Sequence, residues 1–257
     1  MKDKNKVVLI TGASKGIGRA TAIEFAKNGY DIVINYLNDD NGAEKTSESV
    51  LKYDVECMKI KCDVSSESQV KDMFLKIKEK YSTINCVINN AGIANDTLPF
   101  EKDIDDFKRV LDVNLIGPYL VSKYAKDYIE KGSIVNVSST NALNTYYDYS
   151  LDYDASKAAL VSLTHNLANI LDPKIRVNAI CPGWVNTEMN KELDKEYIEE
   201  ECKNILLKRF AEPEEIAKVI VFLASDDASY INNSVIRIDG GMNGSYWTYK
   251  KMWKRSW

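Results

Sequence analysis

Tyr153 and Lys157 are the two residues of this chain whose types and spacing point most directly to chemistry. They lie four positions apart, so a helix would place both side chains on one face. A free phenol titrates near pH ~10 and is a poor proton donor or acceptor at neutrality. A nearby ammonium favours the phenolate and lowers the phenol pKa toward the working pH. The spacing also occurs on ordinary solvated helix faces, so the prediction of an acid–base tyrosine depends on the surrounding motifs.

A glycine-rich turn near the start of the chain is the second candidate site. Residues 11–18 read Thr-Gly-Ala-Ser-Lys-Gly-Ile-Gly and follow a short apolar run at 7–10. Glycines permit a tight turn and let backbone N–H groups approach a pyrophosphate at a helix N-terminus. The spacing differs from the commoner Gly-x-Gly-x-x-Gly fingerprint, so its place between a strand and a helix is the stronger indication. The residues predicted to bind a dinucleotide here are Gly12, Ser14, Lys15, Gly16, Ile17 and Gly18.

The end of the second apolar run bears on which nicotinamide cofactor binds. A carboxylate there would bond the ribose 2′-hydroxyl and repel a 2′-phosphate. This chain has Tyr36 followed by Leu37, while Lys15 offers a cation to a phosphate. Leu37 contributes no polar group, and Asp39 and Asp40 follow closely. The pattern favours NADP(H) and leaves NAD(H) open.

Asp63 and Val64, at the end of the third predicted strand, are candidates for holding the adenine. A carboxylate can accept a hydrogen bond from the exocyclic amine, and a valine can pack on the ring. The alternative is that Asp63 caps the helix that follows.

Strand and helix patterns alternate along the chain without repeats or low-complexity linkers. Predicted strands lie at 7–10, 32–34, within 57–64, and at 86–89, 134–137, 177–180 and 235–238. Predicted helices run from about 16 to 28, from a capping-box pattern at 66–69 to 81, and over 104–129 and 153–171. This alternation predicts an α/β fold with a doubly wound parallel sheet. Ligands should then bind beyond the carboxyl ends of the strands.

The bulk composition limits the classes of function. The 257 residues are 45% apolar with a net charge of −4, which suits one large domain and gives no global attraction to nucleic acid or anionic membrane. Five cysteines without a Cys-x-x-Cys pair, no signal peptide and no apolar stretch near ~20 residues predict a reduced, cytoplasmic protein. The single histidine, His165, argues against histidine triads and His-rich metal sites.

Two segments depart from the alternating pattern. Residues 187–210 are charged and helix-prone, which predicts a mobile lid over a substrate within a body of residues 1–242. The tail at 243–257 holds three of the four tryptophans and four basic residues but no acids, so the remaining residues carry −8 against −4 for the whole chain. Such a tail can dock on a neighbouring subunit, cover the active site or contact lipid. The first of these is our prediction.

Further motifs complete the set: Asn89-Asn90-Ala91-Gly92, Asn114, Ser138-Ser139 and Pro182-Gly183. With the glycine turn and the Tyr153/Lys157 pair, they make residues 5–242 resemble the short-chain dehydrogenase/reductase family. The resemblance implies a single-domain Rossmann fold of seven parallel strands, no catalytic metal, a small carbonyl or alcohol substrate and a homotetramer built partly by the helices at 104–129 and 153–171.

The resemblance also implies a role for each motif. Tyr153 would be the general acid or base, and Lys157 would lower its pKa and bond the nicotinamide ribose. Ser139 would bond the substrate oxygen, with Ser138 as the alternative, and Asn114 would kink a helix and hold a water for proton relay. Further residues expected to line the cofactor site are Asn90, Ala91, Gly92, Pro182, Gly183, Val185 and Thr187.

Within the family, residues 177–179, Pro182-Gly183 and 239–242 look most like bacterial 3-oxoacyl-carrier-protein reductases. Those enzymes often have an arginine after the Asn-Asn-Ala-Gly motif and a Thr-Gly pair before the last strand; this chain has Ile93-Ala94-Asn95 and Asn232-Asn233 instead. Three tyrosines between Ser139 and Tyr153 keep steroid, sugar and polyol substrates open. A non-catalytic NAD(P)-sensing protein and a carbohydrate epimerase are rival hypotheses. The intact catalytic set argues against the first, and the short region after Gly183 argues against the second.

Overall fold

The computed structural model describes residues 6–98, 100–143, 147–191 and 193–242. Within them, seven strands form one sheet in the order β3-β2-β1-β4-β5-β6-β7, and all neighbouring strands are parallel. The strands are β1 Val7–Ile10, β2 Asp31–Tyr36, β3 Cys57–Lys61, β4 Cys86–Asn89, β5 Gly132–Val137, β6 Ile175–Pro182 and β7 Val235–Ile238. The chain winds outward from β1 to β3, then returns to place β4 beside β1. This is the doubly wound sheet that the sequence predicts, with its switch point between β1 and β4.

Helices cover both faces of the sheet. They are α1 Gly16–Lys27, α2 Asp40–Val50, α3 Glu67–Lys80, α4 Ile104–Leu111, α5 Gly117–Ala125, α6 Leu151–Leu171, α7 Lys195–Asn204 and α8 Pro213–Ala224. One core cluster joins the sheet to α1, α2 and α8, and a second joins it to α3, α5 and α6. The central strands β1 and β4 are buried along their whole length, which explains their continuous apolar sequences.

Two local predictions differ from the structure. The helix expected over 104–129 is interrupted by a π-helical segment, Asp112–Ile116, between α4 and α5. The capping box predicted at 66–69 is wrong: Ser66 Oγ lies 3.2 Å from Ser68 Oγ, and Gln69 Oε1 accepts from the backbone N–H of Asp63. Ser66 and Gln69 therefore do not form the reciprocal bonds of a capping box.

The predicted lid contains a 3₁₀ turn at Glu188–Asn190 and helix α7. The tail at 243–257 lies outside the described residues. Among the helices that the structure does describe, none combines the length and apolar character needed to cross a membrane. Residues 6–98, 100–143, 147–191 and 193–242 contain no cluster of three or more acidic, histidine or cysteine side chains suited to a metal ion.

Candidate active site

Tyr153 and Lys157 both lie on α6, and their side chains meet at the carboxyl end of β5. The Lys157 side chain is almost completely buried, and its Nζ donates to the Val137 carbonyl at 2.9 Å. The same Nζ lies 5.5 Å from the centre of the Tyr153 ring. Burial lowers the pKa of Lys157 to about 8, because the charged ammonium is separated from water.

The Tyr153 phenol does not have the lowered pKa that the spacing suggests. Burial raises the pKa of Tyr153 to about 12, a hydrogen bond from Ser139 acts in the opposite direction, and the charges of Asp154 and Asp96 raise it further. The ammonium of Lys157 bonds the end of β5 instead of the phenol. In this structure, desolvation therefore outweighs the expected effect of the cation.

The two adjacent serines after β5 have different environments. Ser138 Oγ donates to the backbone carbonyl of Lys157 at 2.8 Å, which occupies its hydroxyl within the protein. Ser139 Oγ bonds the Asn141 side chain at 3.0 Å and is the serine that contacts the Tyr153 phenol. The side chains of successive residues in extended backbone point to opposite sides, which explains why the two serines have different partners. The geometry favours Ser139 as the serine of the site.

Asn114 lies in the π-helical segment and is fully buried. Its side-chain amide pairs with the backbone of Ile93, accepting at 2.9 Å and donating at 2.9 Å, and its second N–H bonds Ser156 Oγ at 3.0 Å. Ser156 in turn donates to the Tyr153 carbonyl at 2.7 Å. Asn114 therefore connects the loop after β4 to the helix that carries Tyr153.

The glycine turn is held against the end of β4. Asn90 Nδ2 donates to the carbonyls of Thr11 and Gly12 at 2.9 and 3.0 Å, and Thr11 Oγ1 accepts from the backbone of Asn90 and Ala91, both at 3.0 Å. Asn90 and Ala91 thus shape the cleft by fixing the turn. Gly12 has φ +63°, and a Cβ there would lie 2.8 Å from Ala91 Cα, so the contact requires glycine.

The N-terminus of α1 has the features of an anion site. Its N-cap residue is Lys15, which makes no side-chain capping bond, and the first turn contains no acid. The first N–H groups of the helix are therefore left for another acceptor. Lys15 itself is exposed, and Ile17 packs against the core beneath the turn. These residues fit the pyrophosphate of a dinucleotide.

The predicted adenosine end contains an ion pair, of which only the acid, Asp40, was considered from the sequence. Tyr36 donates its hydroxyl to Asp40 at 3.0 Å, and Lys61 pairs with the other oxygen of Asp40 at 2.9 Å. The bond to Lys61 holds the pKa of Asp40 below its ordinary value. An acid and a cation, not a lone cation, therefore lie beside Tyr36.

Asp63 and Val64 are both committed to contacts within the protein. Asp63 accepts from Arg109 at 2.8 Å and from the hydroxyl of Ser65 at 2.7 Å, and these bonds outweigh burial and lower its pKa. Val64 is buried, and a Cβ at Gly117 would lie 2.8 Å from its Cγ2. Asp63 organises the turn before α3 by accepting from Ser65, and the alternative that it caps the helix is wrong because Ser66 is the N-cap residue.

The strand end of β6 forms the opposite border of the cleft. Gly183 follows Pro182, and its N–H donates to Ile238 at 2.9 Å. Val185 is buried and forms a β-bridge with Ala211. Thr187 reaches the glycine turn, since its Cγ2 would lie 3.4 Å from a Cβ at Gly16. The structure therefore brings Thr187, predicted for the nicotinamide end, next to the glycine turn predicted for the pyrophosphate.

A buried ion pair and a separate buried carboxylate were not predicted from the sequence. Lys102 and Asp152 form an ion pair at 2.7 Å whose side chains are 4% and 0% exposed. On α7, Glu201 is 5% exposed and accepts from Trp184 Nε1 at 2.9 Å and Tyr147 OH at 3.2 Å. The only available signal for Asp152 was its position next to Tyr153. Glu201 belongs to an acidic run that is typical of a solvated helix.

Comparisons with known proteins identify a matching family model and several relatives. A family model described as enoyl-(acyl carrier protein) reductase matches residues 12–243. A 3-oxoacyl-[acyl-carrier-protein] reductase of Thermotoga maritima is 38% identical, covering 94% of this chain and 99% of its own. Glucose 1-dehydrogenase 2 of Bacillus subtilis is 34% identical, covering 92% and 94%.

Solved structures show the same architecture. Levodione reductase superimposes with a TM-score of 0.87 at 34% identity, covering 92% of this chain and 96% of its own. A Serratia marcescens short-chain dehydrogenase/reductase superimposes with a TM-score of 0.88 at 30% identity, covering 93% and 98%. The chain belongs to the short-chain dehydrogenase/reductase family of nicotinamide-dependent oxidoreductases.

Proposed function

We propose that this chain reduces a ketone to a secondary alcohol, with the reverse oxidation at the same site. The observation that carries the proposal is the convergence of Ser139, Tyr153 and Lys157 where β5 ends and α6 begins. A buried hydroxyl, a phenol and an ammonium at one point have no evident structural need for each other. Together they suit the protonation of a developing alkoxide.

Each residue then has a defined task. A bound nicotinamide cofactor supplies the hydride or accepts it. Tyr153 gives its phenolic proton to the carbonyl oxygen, and its pKa of about 12 keeps that proton in place at neutral pH. The hydroxyl of Ser139 donates to the same oxygen. Lys157 would bond the ribose of the cofactor and would stabilise the phenolate left by proton transfer.

Asn114 is proposed as the fourth member of the catalytic group. Its amide fixes the loop after β4 through Ile93 and the start of α6 through Ser156. It thereby holds the two walls between which the substrate carbonyl would lie. The relay water implied by the family resemblance would be held at this π-helical segment.

The proposed cofactor is NADP(H), with NAD(H) as the alternative. Lys15 is exposed at the glycine turn, and no carboxylate replaces Tyr36 at the end of β2. Lys61 adds a second cation beside Tyr36, although Asp40 pairs with it. A 2′-phosphate can gain charged hydrogen bonds from both lysines, which supports the preference.

The proposed substrate is a 3-oxoacyl thioester, since a 3-oxoacyl-carrier-protein reductase is among the relatives. A sugar or polyol is the second candidate, because a glucose dehydrogenase is also among them. The side of the cleft near β6 carries an aromatic group in which Trp184 stacks on Phe210 at 5.3 Å and meets Tyr147 and Tyr197 edge-on. Flat apolar surface of this kind suits an acyl chain or a cyclic ketone.

We also propose a homotetramer in which α4 to α6 contact their symmetry mates. Apolar side chains on these helices are exposed: Ile104, Ile116, Tyr119, Leu151 and Ile170. Burying them on another copy would remove apolar area from water. The tail at 243–257, which lies outside the described residues, is proposed to join a subunit contact because its basic residues complement the acidic body.

The activity can be tested by following NADPH oxidation with acetoacetyl thioesters, sugar ketones and cyclic or steroid ketones. Turnover of one class by the wild-type protein, and its loss in Tyr153→Phe, is the expected result. If no carbonyl compound is turned over while NADPH still binds, a non-catalytic NAD(P)-sensing role is the better description.

A further inference from the structure

The Lys102–Asp152 ion pair links two segments that border Tyr153. Lys102 ends the loop between β4 and α4, and its Nζ also donates to the carbonyl of Asn95 within that loop. Asp152 is the second residue of α6, and its Oδ1 accepts both from Lys102 at 2.7 Å and from the Tyr153 N–H at 2.9 Å. A single carboxylate oxygen of Asp152 therefore connects the ammonium of Lys102 to the backbone of Tyr153.

The first turn of α6 has no side-chain cap, although Asp154 ties it to Asn141 and Tyr147. Its N-cap residue, Ser150, makes no side-chain bond to the helix N–H groups, because its hydroxyl bonds Tyr147 and Asp154 instead. First turns fray most readily when their N–H groups have no cap. Tyr153 is the third residue of this helix, so any fraying would move the phenol.

The buried carboxylate of Asp152 depends on Lys102 as its cation. Asp152 is completely buried, and among the described residues its Oδ2 has no hydrogen-bond partner. Lys102 is the cation that pairs with it. The third charged group here, Asp96, is an acid whose pKa is raised by burial and whose interaction with Asp152 is repulsive. A buried carboxylate without its cation is strongly unfavourable.

We propose that Lys102 is a positioning residue for the proposed reaction: through Asp152 it holds the first turn of α6, and with it Tyr153, against the loop after β4. The proposal rests on Tyr153 being the proton donor. A misplaced donor lowers kcat by about 10–100-fold even when the substrate still binds. A pair that only supported folding would affect stability and leave the chemistry unchanged.

Three variants separate these roles. Lys102→Met leaves the buried Asp152 carboxyl without its cation, whereas Lys102→Met combined with Asp152→Asn replaces both members of the pair by neutral side chains. Lys108→Met is the matched control, because it breaks the exposed Lys108–Asp105 pair, 3.1 Å apart, on neighbouring α4. Each is measured for thermal stability, kcat, KM and NADPH affinity.

We expect Lys102→Met to lower Tm and to lower kcat by at least about tenfold. Its NADPH affinity should stay within about twofold of wild type. The double variant should regain Tm but not kcat, and Lys108→Met should match wild type. Recovery of kcat together with Tm in the double variant would overturn the proposal, as would wild-type kcat in Lys102→Met. If Lys102→Met does not fold, the double variant alone decides.

Hydrogen exchange gives a readout that does not depend on any substrate. The backbone N–H groups at 151–157 and 93–98 should exchange faster in the double variant than in Lys108→Met. Unchanged exchange would refute the link itself. If the wild-type protein turns over no carbonyl compound, the proposed function fails, and the exchange result still stands on its own.

Discussion

The ammonium of Lys157 lies 5.5 Å from the centre of the Tyr153 ring but donates to the carbonyl of Val137 at 2.9 Å. The lysine is thus fixed to the end of β5 and faces the phenol across a gap. A Cβ at Gly92 would come within 3.3 Å of the same Nζ, so the glycine leaves room for the ammonium. Burial brings the pKa of Lys157 to about 8 and that of Tyr153 to about 12, which sets the protonation states on which the reaction depends.

Replacing Tyr153 by phenylalanine removes the proposed proton donor and retains the ring. General acid catalysis supplies ~10²–10⁴-fold, so kcat should fall by about that factor while NADPH affinity changes little. Tyr149→Phe is the control, since Tyr149 is a nearby tyrosine that is 41% exposed. Steady-state kinetics and cofactor titration provide the measurements. More than about a tenth of wild-type kcat in Tyr153→Phe would show that another group donates the proton.

The lowered pKa of Lys157 has a consequence for stability. Because burial disfavours the charged form, the ammonium destabilises the folded state below pH ~8, and this penalty disappears as pH rises toward the ordinary lysine value. Lys157→Met should therefore gain stability relative to wild type at pH 7, by up to about 3 kcal/mol, and lose that advantage by pH ~10. Urea unfolding of both proteins at several pH values measures the difference. A difference that does not change with pH would contradict the lowered pKa of the buried lysine.

Sequence reasoning succeeded where local pattern determines structure. Each of the seven strands overlaps a predicted one, and the pattern is clearest for β1 and β4, whose burial along their whole length favours apolar side chains. The turn at Gly12 and the first helix followed from glycine spacing and position. Residues such as Asn90 and Ser139 were found through a motif, and the structure then gave them different partners from those that the motif alone suggests.

What escaped prediction depends on contacts between distant segments. Lys102 and Asp152 are 50 positions apart, and the residues around each of them form no pattern that predicts a buried ion pair. Glu201 belongs to a run of charged residues, and only the packing of α7 against Trp184 buries it. The pKa of Tyr153 likewise follows from burial, which spacing along a helix does not report.

Asp40 offers a test of cofactor preference with a matched control. Asp40 and Glu44 are exposed acids on α2, each paired with a lysine of β3, but Asp40 also accepts from Tyr36. Asp40→Asn should free Lys61 and tighten NADPH binding by several-fold, up to about tenfold, because the freed ammonium can form a charged hydrogen bond with the 2′-phosphate while solvent screens it. NADH binding should change little, and Glu44→Gln should change neither.

Fluorescence titration with NADPH, NADH, 2′,5′-ADP and ADP provides the readout without any substrate. Equal tightening of NADH and NADPH in Asp40→Asn would mean that the carboxylate is not near the 2′ position. Better binding of NADH than NADPH by the wild-type protein would contradict the proposed preference for NADP(H).

Glu201 connects the predicted lid to the wall of the cleft. Glu201→Ala would leave Trp184 Nε1 and Tyr147 OH without their acceptor, which costs about 1–3 kcal/mol for a stranded donor. We expect lower thermal stability and a higher substrate KM as α7 loosens. Glu200→Ala is the control, since Glu200 lies exposed beside Lys203 at 2.7 Å.

Tryptophan fluorescence can report the expected loosening of α7. Three of the four tryptophans lie in the tail, so the full chain with Trp247, Trp253 and Trp257 replaced by phenylalanine reports on Trp184 alone. Its emission should shift to longer wavelength in Glu201→Ala and stay fixed in Glu200→Ala. An unchanged emission and KM would mean that Glu201 does not hold the lid.

Tyr119 is the position at which the proposed tetramer can be tested most directly. It lies on α5, is 44% exposed, and belongs to the exposed apolar set on α4 to α6. Tyr119→Glu would place a charge in the proposed contact between copies. Because the contact is symmetric, both copies would contribute this charge and repel each other. Light scattering should show a tetramer for the wild type and a smaller mass for the variant. Leu75→Glu is the control, because Leu75 is 48% exposed but lies on α3, outside the proposed contact. A wild-type monomer, or a tetramer that survives Tyr119→Glu, would refute this arrangement.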